Sequence, residues 1–285
     1  MSAKDSQKIG FFGFLGKLGA KLGTVAVKLI KVLKFGKLTL AGASVASYAL
    51  VFTWQFAIVI TSMLVVHEYG HLWTMKRLNM KTKGMYLIPF LGAAAVSEDE
   101  FPTRESEAIV AMAGPLTGAA LAVLCGLLFL VTRNAYLAAI ASWMAIINLF
   151  NLIPVAPLDG GRVMKSVTMS VGSKLGMAVF IGGLALAAFL TVEGGLYIFA
   201  FLIPLGFIEF FFERREMKKD EEFLARVREN LPTYQPHKVY KPAMSKGRIK
   251  VAFASYVGLA LFLWLFMLVM ANEPGAGGAM QILKG

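Results

Sequence analysis

A chain with apolar runs long enough to cross a bilayer has few folds open to it. Inside hydrocarbon every backbone polar group must find its partner within the protein, which leaves helices or closed barrels. About 20 consecutive apolar residues cross the core as a helix, and this chain has several such runs. From Leu38 to Leu78 it is nearly all apolar, too long for one helix and enough for two. A break near "FTWQ", residues 52 to 55, divides the run. Further spans are expected from about Glu107 to Val131, Ala135 to Ile153, Ser173 to Val192, Gly194 to Phe212 and Val251 to Ala271. Composition agrees: 57% of the 285 residues are hydrophobic and only 16% charged, against about 25% charged in soluble domains. The expected fold is an all-α polytopic membrane protein of about seven transmembrane helices.

The net charge of +12 would suit nucleic acid, but its distribution points elsewhere. With the N-terminus in the cytoplasm and each span crossing once, every Lys and Arg except Arg133 and Lys284 falls on the cytoplasmic side. That is the positive-inside pattern, so the basic excess reports orientation and no nucleic-acid partner is expected. Residues 1 to 37 place Lys17, Lys21, Lys28 and Lys31 opposite Leu18, Leu22, Val25, Leu29 and Val32. This reads as a basic amphipathic helix on the surface of the lipid bilayer; a basic tail without structure is the alternative. It has no small-residue cleavage site of a removable signal peptide. The organisation expected is therefore a surface segment 1–37, a six-span core 38–212, a charged cytoplasmic segment 213–250, and a last span with a short tail, 251–285. One cysteine, Cys125, excludes a disulfide framework within the chain.

Within the second span lies "SMLVVHEYGHLWTMKRL", residues 62 to 78. Ionisable side chains at membrane depth are costly and mark function, and two of the three histidines of the chain are here. HEYGH fits the H-E-x-x-H zincin pattern. Positions i and i+4 share a helix face, so His67 and His71 can converge on one Zn²⁺, with Glu68 beside it to take a proton from water. The competing explanation, two histidines bonded between packed helices, needs no metal.

A catalytic zinc needs a third protein ligand. His237 lies in a solvated loop, "PTYQPHKVY"; Glu193 is on the far side of the membrane; Glu209 sits in "FIEFFFERRE", an interfacial helix end. Depth favours Asp159. His71 is five residues before Lys76, about 7–8 Å under the polar boundary at 1.5 Å per residue, and Asp159 is three residues before Arg162. Around it, in "NLFNLIPVAPLDGGR", Pro154 and Pro157 break the helix and Gly160-Gly161 permit a sharp turn. Irregular backbone at that depth belongs in a buried or wet pocket; an ordinary Pro/Gly helix terminus is the plain alternative.

HEYGH together with "NLIPVAPLDG" (N-x-x-P-x-x-x-L-D-G, Asn151 to Gly160) resembles the site-2 protease family of intramembrane zinc metalloproteases, over residues 50 to 165. The resemblance implies one Zn²⁺ per chain on His67, His71 and Asp159, Glu68 as catalytic base, and a substrate that is another protein's transmembrane helix, cut near the cytoplasmic face of a prokaryotic cell membrane. Asn151, at the motif asparagine, would bind the substrate backbone. The segment "GMYLIPFLGAAAV", residues 84 to 96, is too short to span; it resembles the family's membrane-dipping β-hairpin, whose free edge can pair with an unwound substrate, with a plain interfacial loop as the alternative. The family also shares the turn Ala113-Gly114-Pro115, but "GPLTG" lacks the polar residue that often follows it, so no role is assigned.

Other features read as packing. Gly114, Gly118, Ala122 and Gly126 form a small-residue stripe, Cys125 borders it, and Glu98, Asp99 and Glu100 form a solvated loop. Two further readings remain: a metal-ion transporter using the same three ligands, and an inactive homologue that binds membrane helices. A transporter usually shows polar residues on several spans and internal symmetry, and neither is present in this sequence.

Overall fold

The computed structural model describes residues 36–89, 92–193, 198–230 and 241–284; the amphipathic segment expected within 1–37 and His237 fall outside them. The chain runs α1 (Lys37–Ala49), α2 (Trp54–Arg77), β1 (Thr82–Ile88), β2 (Gly92–Ser97), α3 (Arg104–Thr132), α4 (Ala135–Asn151), α5 (Asp159–Val171), α6 (Ser173–Val192), α7 (Ile198–Asn230), α8 (Lys246–Ala271) and α9 (Ala276–Lys284). Among the described residues four helices, α2, α3, α6 and α8, are long and apolar enough to cross a membrane. The expectation of about seven spans is met only to that extent. Helix α1 has 13 residues and α4 has 17, short of the ~20 needed. Instead of ending near Phe212, α7 continues without a break into the charged sequence.

Side-chain caps set the starts of four of the described helices. The run from Leu38 does break where Thr53 caps α2, its hydroxyl accepting from Phe56 N. Helix α3 opens on a capping box in which Thr103 and Ser106 satisfy each other's backbone N–H, the reciprocal arrangement that removes two orphan donors. It closes on Arg133 in the left-handed region, and Asn134 at once caps α4 by accepting from Tyr136 N. Ser245 caps α8 in the same way.

The segment between α2 and α3 is a two-stranded antiparallel sheet, with Met85 opposite Ala95 and Leu87 opposite Ala93. A glycine opens β2 for a reason: Gly92 has φ of +102°, a conformation that side-chain-bearing residues avoid.

Helix α3 is the centre of the packing, touching α2, α4, α5 and α8. Its small residues let the neighbours close in. A Cβ on Gly126 would meet the ring of Phe266 on α8, and Gly70 of α2 lies against Ala113 O and Thr117 of α3. Outward faces are apolar, as contact with lipid requires: Tyr69 and Trp73 on α2, Leu127 and Leu130 on α3, and Leu261 and Trp264 on α8 are all exposed.

The glycines after Asp159 do something other than turn the chain. Both lie inside α5, which starts at Asp159 itself. They permit the preceding loop to fold back onto the helix: a Cβ on Gly160 would collide with Leu152 O, and one on Gly161 would lie within 2.6 Å of the Val155–Ala156 peptide. Overpacking of this kind costs about 1–3 kcal/mol. Gly161→Ala is therefore expected to lower the melting temperature of the purified protein; an unchanged transition would show that the loop has room to move.

Candidate metal centre

Helix α2 places His67 and His71 one turn apart on the face that meets α3, and both are buried. Their orientation is fixed by what the second ring nitrogen bonds. His71 Nδ1 lies 2.7 Å from Val110 O; a carbonyl only accepts, so Nδ1 carries the hydrogen and Nε2 is left with its lone pair. His67 Nδ1 is 2.9 Å from Asn148 Oδ1. The amide of Asn148 is itself oriented, because its Nδ2 donates to Met144 O at 2.7 Å. Nδ1 of His67 is thus also the protonated nitrogen. Each imidazole is backed by a protein acceptor, as in most metal-binding histidines.

The two free nitrogens meet the first residue of α5. His67 Nε2 is 3.0 Å and His71 Nε2 3.3 Å from Asp159 Oδ2, and the Nε2 atoms are 3.2 Å apart. One ligand atom from each of the three residues lies within 4.8 Å of the others. Two imidazole nitrogens and a carboxylate oxygen converging in a buried place fit a divalent transition metal, and this N/N/O set with a remaining position suits catalytic Zn²⁺. The depth argument for Asp159 and the spacing argument for the histidines lead to residues that the fold brings together. It leaves Glu193 exposed at the end of α6 and places Glu209 against Lys165, in an ion cluster and not at a helix end facing lipid headgroups.

Glu68 is buried beside the histidines, and its Oε2 accepts from Ala95 N of β2 at 2.6 Å. Asn151 is half-buried as the last residue of α4. The asparagine that bonds a ligand is Asn148, three residues earlier. Sequence reasoning passed over it because Asn151 occupies the motif position. A signal existed: Asn148 is a carboxamide within a 17-residue apolar helix, and a polar side chain there asks for a partner.

The turn Ala113-Gly114-Pro115 also acquires a role. Gly114 faces the two imidazoles directly, and a Cβ there would overlap Nε2 of both; Gly118, one turn on, makes the same room for the Asn148 amide. Those two positions of the small-residue stripe accommodate site side chains from α2 and α4, whereas Gly126 meets Phe266 and Met270 of α8, away from the site.

The fold and site define a class: a helical membrane protein with a buried H-E-x-x-H motif completed by an aspartate from a separate helix. Comparison with known proteins is specific on this point. Residues 55–137 match the family model of peptidase family M50. Rip3 of Mycobacterium tuberculosis, whose name marks it as a candidate zinc metalloprotease, is 30% identical over 224 residues, covering 70% of this chain and 57% of that protein. The zinc metalloprotease MJ0392 of Methanocaldococcus jannaschii is 29% identical over 133 residues, 44% of this chain and 38% of that protein. The chain is therefore similar to the M50 metallopeptidases, the site-2 protease family that its two motifs resemble. It spans just over half the length of Rip3 and less of MJ0392.

Loss of the partner of a metal-binding histidine typically weakens metal affinity 10–100-fold. Asn148→Ala is expected to fall in that range, measured by competition with a chelator of known affinity. Gly114→Ala should abolish binding altogether, since its methyl group fills the space between the imidazoles.

Proposed function

We propose that this chain is an intramembrane zinc metalloprotease, hydrolysing a peptide bond in or near a transmembrane helix of a protein substrate close to the cytoplasmic face. The observation that carries the reading is the convergence of His67, His71 and Asp159 beside Glu68 on buried helix faces. The names of the relatives support it. The accompanying topology, about seven spans with the N-terminus in the cytoplasm of a prokaryotic cell, rests on the distribution of Lys and Arg.

In this reading His67, His71 and Asp159 hold Zn²⁺, which when bound supplies a Lewis acid that acidifies water and polarises the scissile carbonyl. The other steps belong to the chain. Glu68 takes the proton of the attacking water and returns it to the leaving amine. Val110 O and Asn148 keep both imidazoles in the one tautomer that offers Nε2 to the site. Asn151 hydrogen-bonds the substrate backbone from the end of α4.

A helical substrate hides its peptide groups, so it has to be extended before it can be cut. Strand β2 offers the template. Its inner edge pairs with β1, while Ala95 N–H points the other way, at Glu68. A substrate strand added along that outer edge lies next to the proposed base. Pairing also gives Ala95 N–H a new acceptor, a substrate carbonyl, and so releases the Glu68 carboxylate for its proton.

The test is proteolysis of single-span substrates reconstituted with the protein. Glu68→Gln should retain zinc and lose cleavage by several orders of magnitude, whereas Asp159→Ala should lose the metal as well. Zinc movement across liposomes without cleavage would identify a transporter instead, and binding without cleavage by the wild type would identify an inactive homologue. Asn151→Ala should slow cleavage at unchanged zinc content; metal loss in that variant would place Asn151 in the metal site.

A further inference from the structure

Outside the metal centre the described residues hold a second buried polar cluster. Lys165 of α5 is 3% exposed. Its Nζ lies 2.8 Å from Glu107 Oε1, 2.6 Å from Glu209 Oε1 and 3.6 Å from Glu213 Oε2. Arg104 adds a contact of 2.5 Å to Glu213, and Lys241 one of 3.2 Å to Glu107. Burial alone would lower the Lys165 pKa, but the three carboxylates hold it above its ordinary value, so the ammonium is charged throughout the physiological range.

The position of this cluster relative to the metal centre is what gives it a role. Asp159 and Lys165 are both on α5, six residues apart, or about 9 Å along the axis at 1.5 Å per residue. Glu107 and Val110 are both on α3, less than one turn apart. Val110 O accepts from His71 Nδ1, and His71 Nε2 faces Asp159. The contacts close a loop: Asp159, α5, Lys165, Glu107, α3, Val110, His71 and back to Asp159. Helices α3 and α5 are joined in it at one point by the Lys165–Glu107 ion pair and at another through His71, which bonds Val110 O and lies 3.3 Å from Asp159.

We propose that Lys165 is a positioning residue for the metal centre, its ion pair with Glu107 fixing the placement of Asp159 relative to His71. The proposal rests on the zinc-protease reading of the site. An ion pair suits this purpose better than apolar contact. Replacing a buried pair with apolar residues is often neutral or stabilising, so its value lies in registering one element against another. The two other carboxylates near Lys165, Glu209 and Glu213, come from α7, so the same ammonium also ties that helix to α5.

The experiment uses the full chain in detergent, stripped of metal and titrated with Co²⁺, whose visible absorption reports ligand geometry; chelator competition then gives Zn²⁺ affinity, and thermal unfolding is followed in parallel. Glu107→Gln, which keeps the side-chain shape, and Lys165→Met should each weaken binding roughly tenfold, the scale seen when outer partners of metal ligands are lost, and should shift the Co²⁺ bands. The double variant should be no weaker than the worse single one, as expected for two residues acting as a unit. Lys165→Arg should recover most of the affinity. If Lys165→Met does not fold, Glu107→Gln decides alone. Wild-type affinity and spectrum in variants that only melt earlier would overturn the proposal and reduce the cluster to a structural brace. Failure of the wild type to take up either ion would instead sink the protease reading, and the proposal with it.

Discussion

The structure depends on satisfying a group of polar side chains where little water is available to help. Two imidazoles, two carboxylates and a carboxamide lie together on apolar helices, and an unpartnered polar group in such surroundings costs several kcal/mol. The solution is a chain of bonds in which each donor has one acceptor. Asn148 donates to Met144 O and accepts from His67, while Val110 O accepts from His71. What is left over, two Nε2 lone pairs and a carboxylate, is the ligand set for a cation. Satisfying the other groups selects the tautomers, so the metal-binding geometry and the burial problem have the same answer.

That answer requires α2 and α3 to approach more closely than ordinary side chains permit. Gly70 on one helix and Gly114 on the other remove the obstruction, and Gly118 does the same for Asn148 on α4. Helix α3 therefore supplies the room for the histidines, the acceptor that orients one of them and, one turn earlier, the carboxylate that meets Lys165. Three functions on under three turns explain why this helix sits at the middle of the bundle while its far side is left to lipid.

How much of this the sequence disclosed depended on how local the causes were. The H-E-x-x-H face follows from the 3.6-residue period alone. The break before Trp54 and the ends of α3, α4 and α6 follow from hydropathy and turn residues within a few positions. Asp159 was reachable because its depth can be counted from the nearest charges. Other features were not local. Asn148 and His67 are 81 residues apart and Lys165 and Glu209 are 44 apart; such pairs are set by helix packing that no single stretch encodes. The DGG glycines look like turn residues in sequence, and only the returning loop shows that they serve close approach inside a helix. Helix α7 misled because hydropathy ends a span where the charges begin, while helix propensity continues through them.

The charge cluster at the boundary makes the last link. Arg104, Lys165 and Lys241 pair with Glu107, Glu209 and Glu213, and the Arg162 guanidinium adds its charge beside Glu209. Mutual pairing offsets much of the penalty of burial but gives no reason to prefer ions over leucines. Direction gives the reason. Apolar contacts tolerate a helix sliding or rotating by a fraction of a turn, whereas a 2.8 Å ion pair between buried partners does not. Helix α5 is short, is entered from a loop held by backbone contacts, and presents its first residue to the histidines. A small rotation about its own axis would carry the Asp159 carboxylate away from them while leaving its apolar face nearly as well buried. An interaction that resists rotation is what apolar packing alone does not give such a helix, and Lys165 supplies it from mid-helix, six residues beyond Asp159.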